Sequence, residues 1–156
     1  MISDNAFADG VRELTDTAYA VAYLILGNSA DCEDAMSEAI LRAYQGRGKL
    51  KKRESFRAWF LQILRNEACN VLRRRRRVQP VEELPEREAP APDSAGRLDL
   101  AAALSRLTGD QRTALLLQQE GYELSEIGDI LGVPVGTVKS RISRAKQTMR
   151  AILEEE

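Results

Sequence analysis

The feature that most constrains this chain is a proline-bearing interruption at residues 78–96, VQPVEELPEREAPAPDSAG, set between two stretches of helical periodicity. Four of the five prolines fall in it, together with 5 acidic side chains against 1 basic. Proline removes a backbone donor and fixes φ, so the segment reads as an extended, exposed linker. A surface loop within one domain is the alternative, but 19 residues without apolar periodicity is long for a loop. The expected organisation is therefore a domain at 1–77, a linker at 78–96 and a domain at 97–156, and 156 residues suffice for two small domains.

Both flanking stretches read as helices, and no strand signal appears, so the expected fold is all-α. A first helix near 7–26 places Val11, Leu14, Ala18, Val21, Leu24 and Ile25 on one side and stops at Gly27-Asn28. A second runs from about Ser29 to Tyr44, with Asp31, Glu33 and Asp34 in its first turn, where carboxylates suit the positive helix end. A glycine- and lysine-rich loop, GRGKLKKRE, leads to a third helix starting near Ser55. There Phe56, Trp59, Phe60, Ile63, Leu64, Val71 and Leu72 form an apolar stripe that reads as core. Beyond the linker, Leu98, Ala101, Leu104 and Leu107 mark a short helix. Thr108 and Gln111 form a capping box for the next, which ends before Gly121, and helices at 125–131 and about 135–151 follow.

The near-zero net charge of −1 conceals strong segregation. Residues 1–46 hold 2 basic and 8 acidic side chains, whereas 47–77 hold 12 basic and 2 acidic. Residues 139–151 hold five basic side chains and no acidic one. Two basic patches separated by acidic sequence can each meet a polyanion, leaving the acidic surface for another partner. There is no histidine, so no Ser-His or Cys-His pair can exist, and an enzymatic role is disfavoured. Cys32 and Cys69, lying far apart without histidine, indicate neither a zinc site nor a disulfide framework and read as small core residues. No cofactor or metal is expected. The N-terminus lacks a signal pattern and no apolar run approaches membrane-spanning length, so a cytoplasmic protein without membrane insertion is expected.

The segment SEIGDILGVPVGTVKSRISRAKQTMR carries the most specific pattern. Ser125 is placed to cap a helix whose inner positions are Ile127, Ile130 and Leu131. Gly128 is small where a second helix would cross, Gly132 can take the positive φ that ends the helix, and Pro134 suits the start of the next. Val135, Val138 and Ile142 would point inward, leaving Thr137, Lys139, Ser140, Arg141, Ser143 and Arg144 outward on the N-terminal part of the last helix. A recognition helix entering the major groove has that layout. The plainer alternative is a helical hairpin with a solvated basic face; the acid-free basic spacing beside a tight turn favours DNA.

At these residues the chain resembles a known family. LGVPVGTVKSRISRAK is very similar to the region 4 helix-turn-helix of sigma-70-type factors, in particular their extracytoplasmic-function branch, and the upstream LSRLTGDQRTALLLQQEGYELSEI looks like the rest of that region. LuxR-type regulators share a looser version of the motif. The resemblance implies that this domain reads the promoter −35 element through Lys139, Ser140, Ser143 and Arg144, with Thr137 and Arg141 nearby. SFRAWFLQILRNEACNVLRRRRR similarly resembles sigma region 2. That likeness implies −10 recognition and melting, with Asn66 and Asn70 at positions matching capture of a flipped base, the loop around Gly48–Glu54 forming part of the pocket, and Arg65, Arg73 and Arg74 near the DNA. Physically, asparagine can pair with a base edge and arginines can hold phosphates.

Asp31, Asp34 and Glu38 are spaced i, i+3, i+7 on one helix face, which by composition is a solvated stripe. By resemblance, DCEDAMSEAILRAY matches the region 2 helix that docks on the clamp helices of the RNA polymerase β′ subunit; serine at 37 and tryptophan's absence at Tyr44 depart from many relatives. The resemblance covers about residues 8–77 and 97–153 and places the chain in the short group of sigma factors. It implies core RNA polymerase (β′ clamp helices, β flap), promoter DNA and an anti-sigma protein as partners, with a linker threading toward the polymerase active-site channel. A DNA-binding regulator that never joins polymerase and a sigma-like decoy remain the alternatives.

Overall fold

The computed structural model describes residues 2–50, 55–78 and 102–154, and all regular structure among them is helical. The linker beyond Val78, the loop residues 51–54, and Leu98 and Ala101 lie outside the described residues.

In the first half, α1 (Asp4–Leu26), α2 (Ser29–Gln45) and α3 (Phe56–Val78) pack against one another, with a 3₁₀ turn at Arg47–Lys49. α1 begins three residues earlier than its apolar spacing suggests, because Ser3 caps it by accepting from the Ala6 amide at 3.1 Å. The extra turn brings Phe7 into the core, edge-on to Tyr44 and Phe56. α2 is opened by Asn28, whose side chain accepts from the Asp31 amide at 2.9 Å. α3 buries Phe60, Leu61, Leu64 and Ala68 completely. The expected stripe is only partly core: Phe56, Trp59, Ile63 and Leu72 are half-buried at its edges. Cys32 is buried as expected, but Cys69 is half-buried and borders a groove described below.

In the second half, residues 102–105 are the described part of α4, followed by α5 (Gly109–Gln119), α6 (Leu124–Leu131) and α7 (Val135–Glu154). The capping box at α5 forms as the sequence indicates. Thr108 Oγ1 accepts from the Gln111 amide at 3.1 Å, and the Thr108 amide donates to Gln111 Oε1 at 2.9 Å. At α6 the expectation is corrected: Glu123, not Ser125, is the N-cap, and Ser125 is an exposed residue of the first turn. The reason is Glu126, three residues on, whose carboxylate accepts from the Glu123 amide at 3.1 Å.

The two halves form one body. α3 packs on α6 and α1 on α5, so the buried apolar residues make a single contiguous cluster running from Phe7 to Ile142. Arg112 joins them: only 5% exposed, it donates to Leu104 O at 3.0 Å and to Leu24 O at 2.8 Å. Leu24 lies in the last turn of α1, which has carbonyls without an intrahelical partner and no basic residue in that turn. The second half thus supplies a cation at the end of α1.

Candidate DNA- and partner-binding surfaces

The helix-turn-helix is built from α6, a tight turn and α7. Gly132 adopts φ 71°, ending α6 in the left-handed region. Gly128 is buried, and a Cβ there would sit 2.7 Å from the Val133 carbonyl oxygen, whose own amide donates back to Gly128 O at 2.9 Å. The turn can close this tightly only over a residue without a side chain. Val138, Ile142 and Ala145 are the inward positions of α7. Val135, expected inward, is instead 39% exposed, because the turn sets α7's first residue outside the α6 crossing. Lys139, Ser140, Ser143 and Arg144 are exposed along α7 and Thr137 is half-buried near its start. Arg141 differs from these. It turns back onto α5 and reaches Asp110 Oδ2 at 3.4 Å.

On α3, the residues expected near the −10 DNA separate into two groups. Asn66 and Asn70 line a groove of about 470 Å³ together with Trp59, Lys49, Arg42 and Glu67. Glu67 is a buried carboxylate, 4% exposed, held by Arg42 Nε at 2.7 Å, and nothing in its sequence neighbourhood singled it out. Arg65 lies elsewhere, on the face toward α5, where it donates to both oxygens of Asp110 at 3.0 and 3.2 Å. Arg73 and Arg74 are exposed, whereas Arg75 turns inward, pairing with Asp31 and reaching Leu26 O. Among its described members the arginine run is therefore divided between exposed and half-buried positions.

The acidic face of α2 is divided too. Asp34 is exposed, and Glu38 is exposed in part with Arg42 Nε 3.4 Å away. Asp31 belongs to the α1–α2 junction, accepting from Asn28 Nδ2 at 2.9 Å and pairing with Arg75.

A fourth group was not legible in the sequence, because its members are far apart along the chain. Arg57 on α3 forms a bidentate pair with Glu126 on α6, at 2.8 and 2.6 Å, and Ser55 Oγ donates to the same carboxylate at 3.1 Å. The Arg57 guanidinium also lies 4.0 Å from the centroid of the Tyr122 ring. Hydrogen bonding to Arg57 holds the Glu126 carboxyl down at about 2, with the Glu123 amide and Ser55 adding to it against the cost of burial. The same bond raises the Arg57 pKa above its ordinary value, and burial raises that of Tyr122. Asp110 makes a second bridge, its Oδ2 contacting both Arg65 and Arg141.

Residues 11–78 match Sigma-70 region 2 and residues 97–149 match Sigma-70, region 4. The chain is 37% identical over 155 residues to the ECF RNA polymerase sigma factor SigE of Mycolicibacterium smegmatis, an alignment covering 92% of this chain and 60% of the relative's length. It is 30% identical over 169 residues to the ECF RNA polymerase sigma factor SigW of Bacillus subtilis, covering 97% of this chain and 90% of the relative. Among solved structures, it resembles the sigma factor RpoE in complex with the anti-sigma factor NepR from Bartonella quintana, with TM-score 0.79, 27% identity, and coverage of 95% of this chain and 96% of that one. The fold also matches CnrH in complex with the cytosolic domain of CnrY, with TM-score 0.73, 23% identity, and coverage of 99% and 91%. With both regions in order on one helical chain, and a relative such as SigW matched across nearly its whole length, the protein belongs to the sigma-70 family, in its extracytoplasmic-function branch.

Proposed function

We propose that the chain directs core RNA polymerase to a specific set of promoters and starts transcription there, as a specificity subunit and not as a catalyst. The observation that carries this reading is the co-occurrence of region 2 at 11–78 and region 4 at 97–149 in one chain, each bearing an exposed basic or amide-bearing surface. The proposed domains are 1–77 and 97–156, joined by the linker at 78–96.

In this reading Lys139, Ser140, Ser143 and Arg144, with Thr137, meet the −35 element, where arginine and lysine can pair with guanine edges or phosphates. Their exposure on α7 supports the assignment. Asn66 and Asn70 meet the −10 element at the groove they line, and Arg73 and Arg74 hold phosphates beside it. Extruding a base costs a few kcal/mol of stacking and pairing, which groove contacts and the basic surroundings must offset. Asp34 and Glu38, with Asp31 at the edge of their face, dock on the β′ clamp helices, and the second domain meets the β flap. Arg65 is tied across the halves to Asp110, so its part in DNA binding requires the halves to separate, whereas Arg141 shares that carboxylate from within its own half.

Control by an anti-sigma protein is supported by the RpoE–NepR match, which spans both halves together. A cytoplasmic location follows from this role; among the described residues no helix is long and apolar enough to cross a membrane. The test is run-off transcription with purified core polymerase over a promoter library. Discrete start sites dependent on this chain are expected. Absence of both core binding and initiation would overturn the reading.

A further inference from the structure

A cleft of about 980 Å³ lies between the two halves. α3 contributes Arg65 and Arg76 to its lining and α7 contributes Arg141 and Arg144. The buried Arg112 also borders it, and the one carboxylate among the described lining residues is Asp110. That carboxylate is already shared by Arg65 and Arg141, so among the described residues the cleft gathers guanidinium groups from α3, α5 and α7 around a single carboxylate. Arg65 Nε adds a second observation: it is buried and has no hydrogen-bond acceptor among the described residues. Asp110 therefore leaves part of this guanidinium's donor capacity unused. The N-terminal residues of α5, Gly109 and Asp110, line the same space, and a helix start adds partial positive charge.

We propose that this cleft is a binding site for a small polyanion carrying two or more phosphoryl groups. Guanidinium forks match phosphoryl oxygens in pairs, and cations on opposite walls call for a ligand whose charges are spread along its length. The volume admits a ligand of nucleotide size. Because the site exists only when α3 and α7 face each other, its occupant stabilises the closed arrangement by mass action. It also keeps Arg141 and Arg144 from any other polyanion.

The test uses the full chain and sodium tripolyphosphate, with ionic strength held constant by chloride. Calorimetry should show binding of one tripolyphosphate per chain. Cys69 lines the cleft while Cys32 is buried, so alkylation of Cys69 should slow in step with occupancy. The double variant Arg76→Gln and Arg144→Gln alters two exposed positions, should keep its helical circular dichroism, and should bind at least tenfold more weakly. Arg12→Gln, on an exposed part of α1 where Arg12 pairs with Asp9, should bind as the parent does. Equal weakening by Arg12→Gln, no binding beyond that of chloride, or binding that leaves Cys69 unprotected would each overturn the site.

Discussion

Replacing Glu126 by glutamine keeps the shape of the side chain and removes the charge that ties α6 to α3. In the closed chain this carboxylate takes two bonds from Arg57 and one from Ser55. Those contacts, Arg57 foremost, bring its pKa from an ordinary 4.5 to about 2. A tenfold change in acidity corresponds to about 1.4 kcal/mol, so the shift caps the preference for the ionised form at about 3 kcal/mol. The Arg57 side chain is 40% exposed, and solvent screening brings the net to about 1–2 kcal/mol. Glu126→Gln should therefore raise the population with separated halves roughly five- to thirtyfold. Trp59 borders the same groove as Glu126, so its emission, read beside small-angle scattering, reports the separation. The sign of the pH dependence follows from a folded pKa below the ordinary one. The stabilisation is complete above about 4.5 and is lost as pH falls toward about 2; the variant should lack this dependence. Because Glu126 also accepts from the Glu123 amide within α6, part of any effect is local, and a double-mutant cycle with Arg57→Gln isolates the rest. Strictly additive effects of the two substitutions, or an unchanged acid response, would refute the reasoning.

Three further outcomes are expected. Gly128→Ala forces a Cβ to 2.7 Å from the Val133 carbonyl, so thermal melting should show a loss of about 1–3 kcal/mol, with α6 and α7 amides exchanging faster. The pair Lys139→Ala and Arg144→Ala, both exposed, should weaken dependence on the −35 sequence in transcription assays while core polymerase binding measured by fluorescence anisotropy stays intact. Asp34→Lys with Glu38→Lys should do the reverse, lowering core binding at least tenfold with little change in melting temperature, since Asp34 is exposed and the partly exposed Glu38 has an exposed partner in Arg42.

Features set by neighbours along the chain are legible in the sequence. The capping box of Thr108 and Gln111 spans three residues, and the turn at Gly132 depends on one. Inner positions of α3 and α7 recur at helical spacing, so the period alone picks out Phe60, Leu64, Val138 and Ile142 as core. Misplacements arose where a local rule had two solutions. Ser125 and Glu123 can both open α6, and Glu123 prevails because Glu126 bonds back to its amide. Val135 fits an inward period, yet the turn leaves it in solvent.

The family and its two regions could be read from residues 8–77 and 97–153 alone, because motif identity and helical period are local properties. How the surfaces divide could not. Periodicity places Arg65 with Asn66, and Asp31 with Asp34, but it says nothing of an acid 45 residues away or of an arginine on another helix. Only the packing of α3 on α6 and α1 on α5 brings Arg57 to Glu126 and Arg65 to Asp110, and only that of α5 on α7 brings Arg141 to the same carboxylate. Long-range charge pairs leave no spacing signal in a sequence, because their partners are set by the tertiary arrangement and not by the helix that carries them.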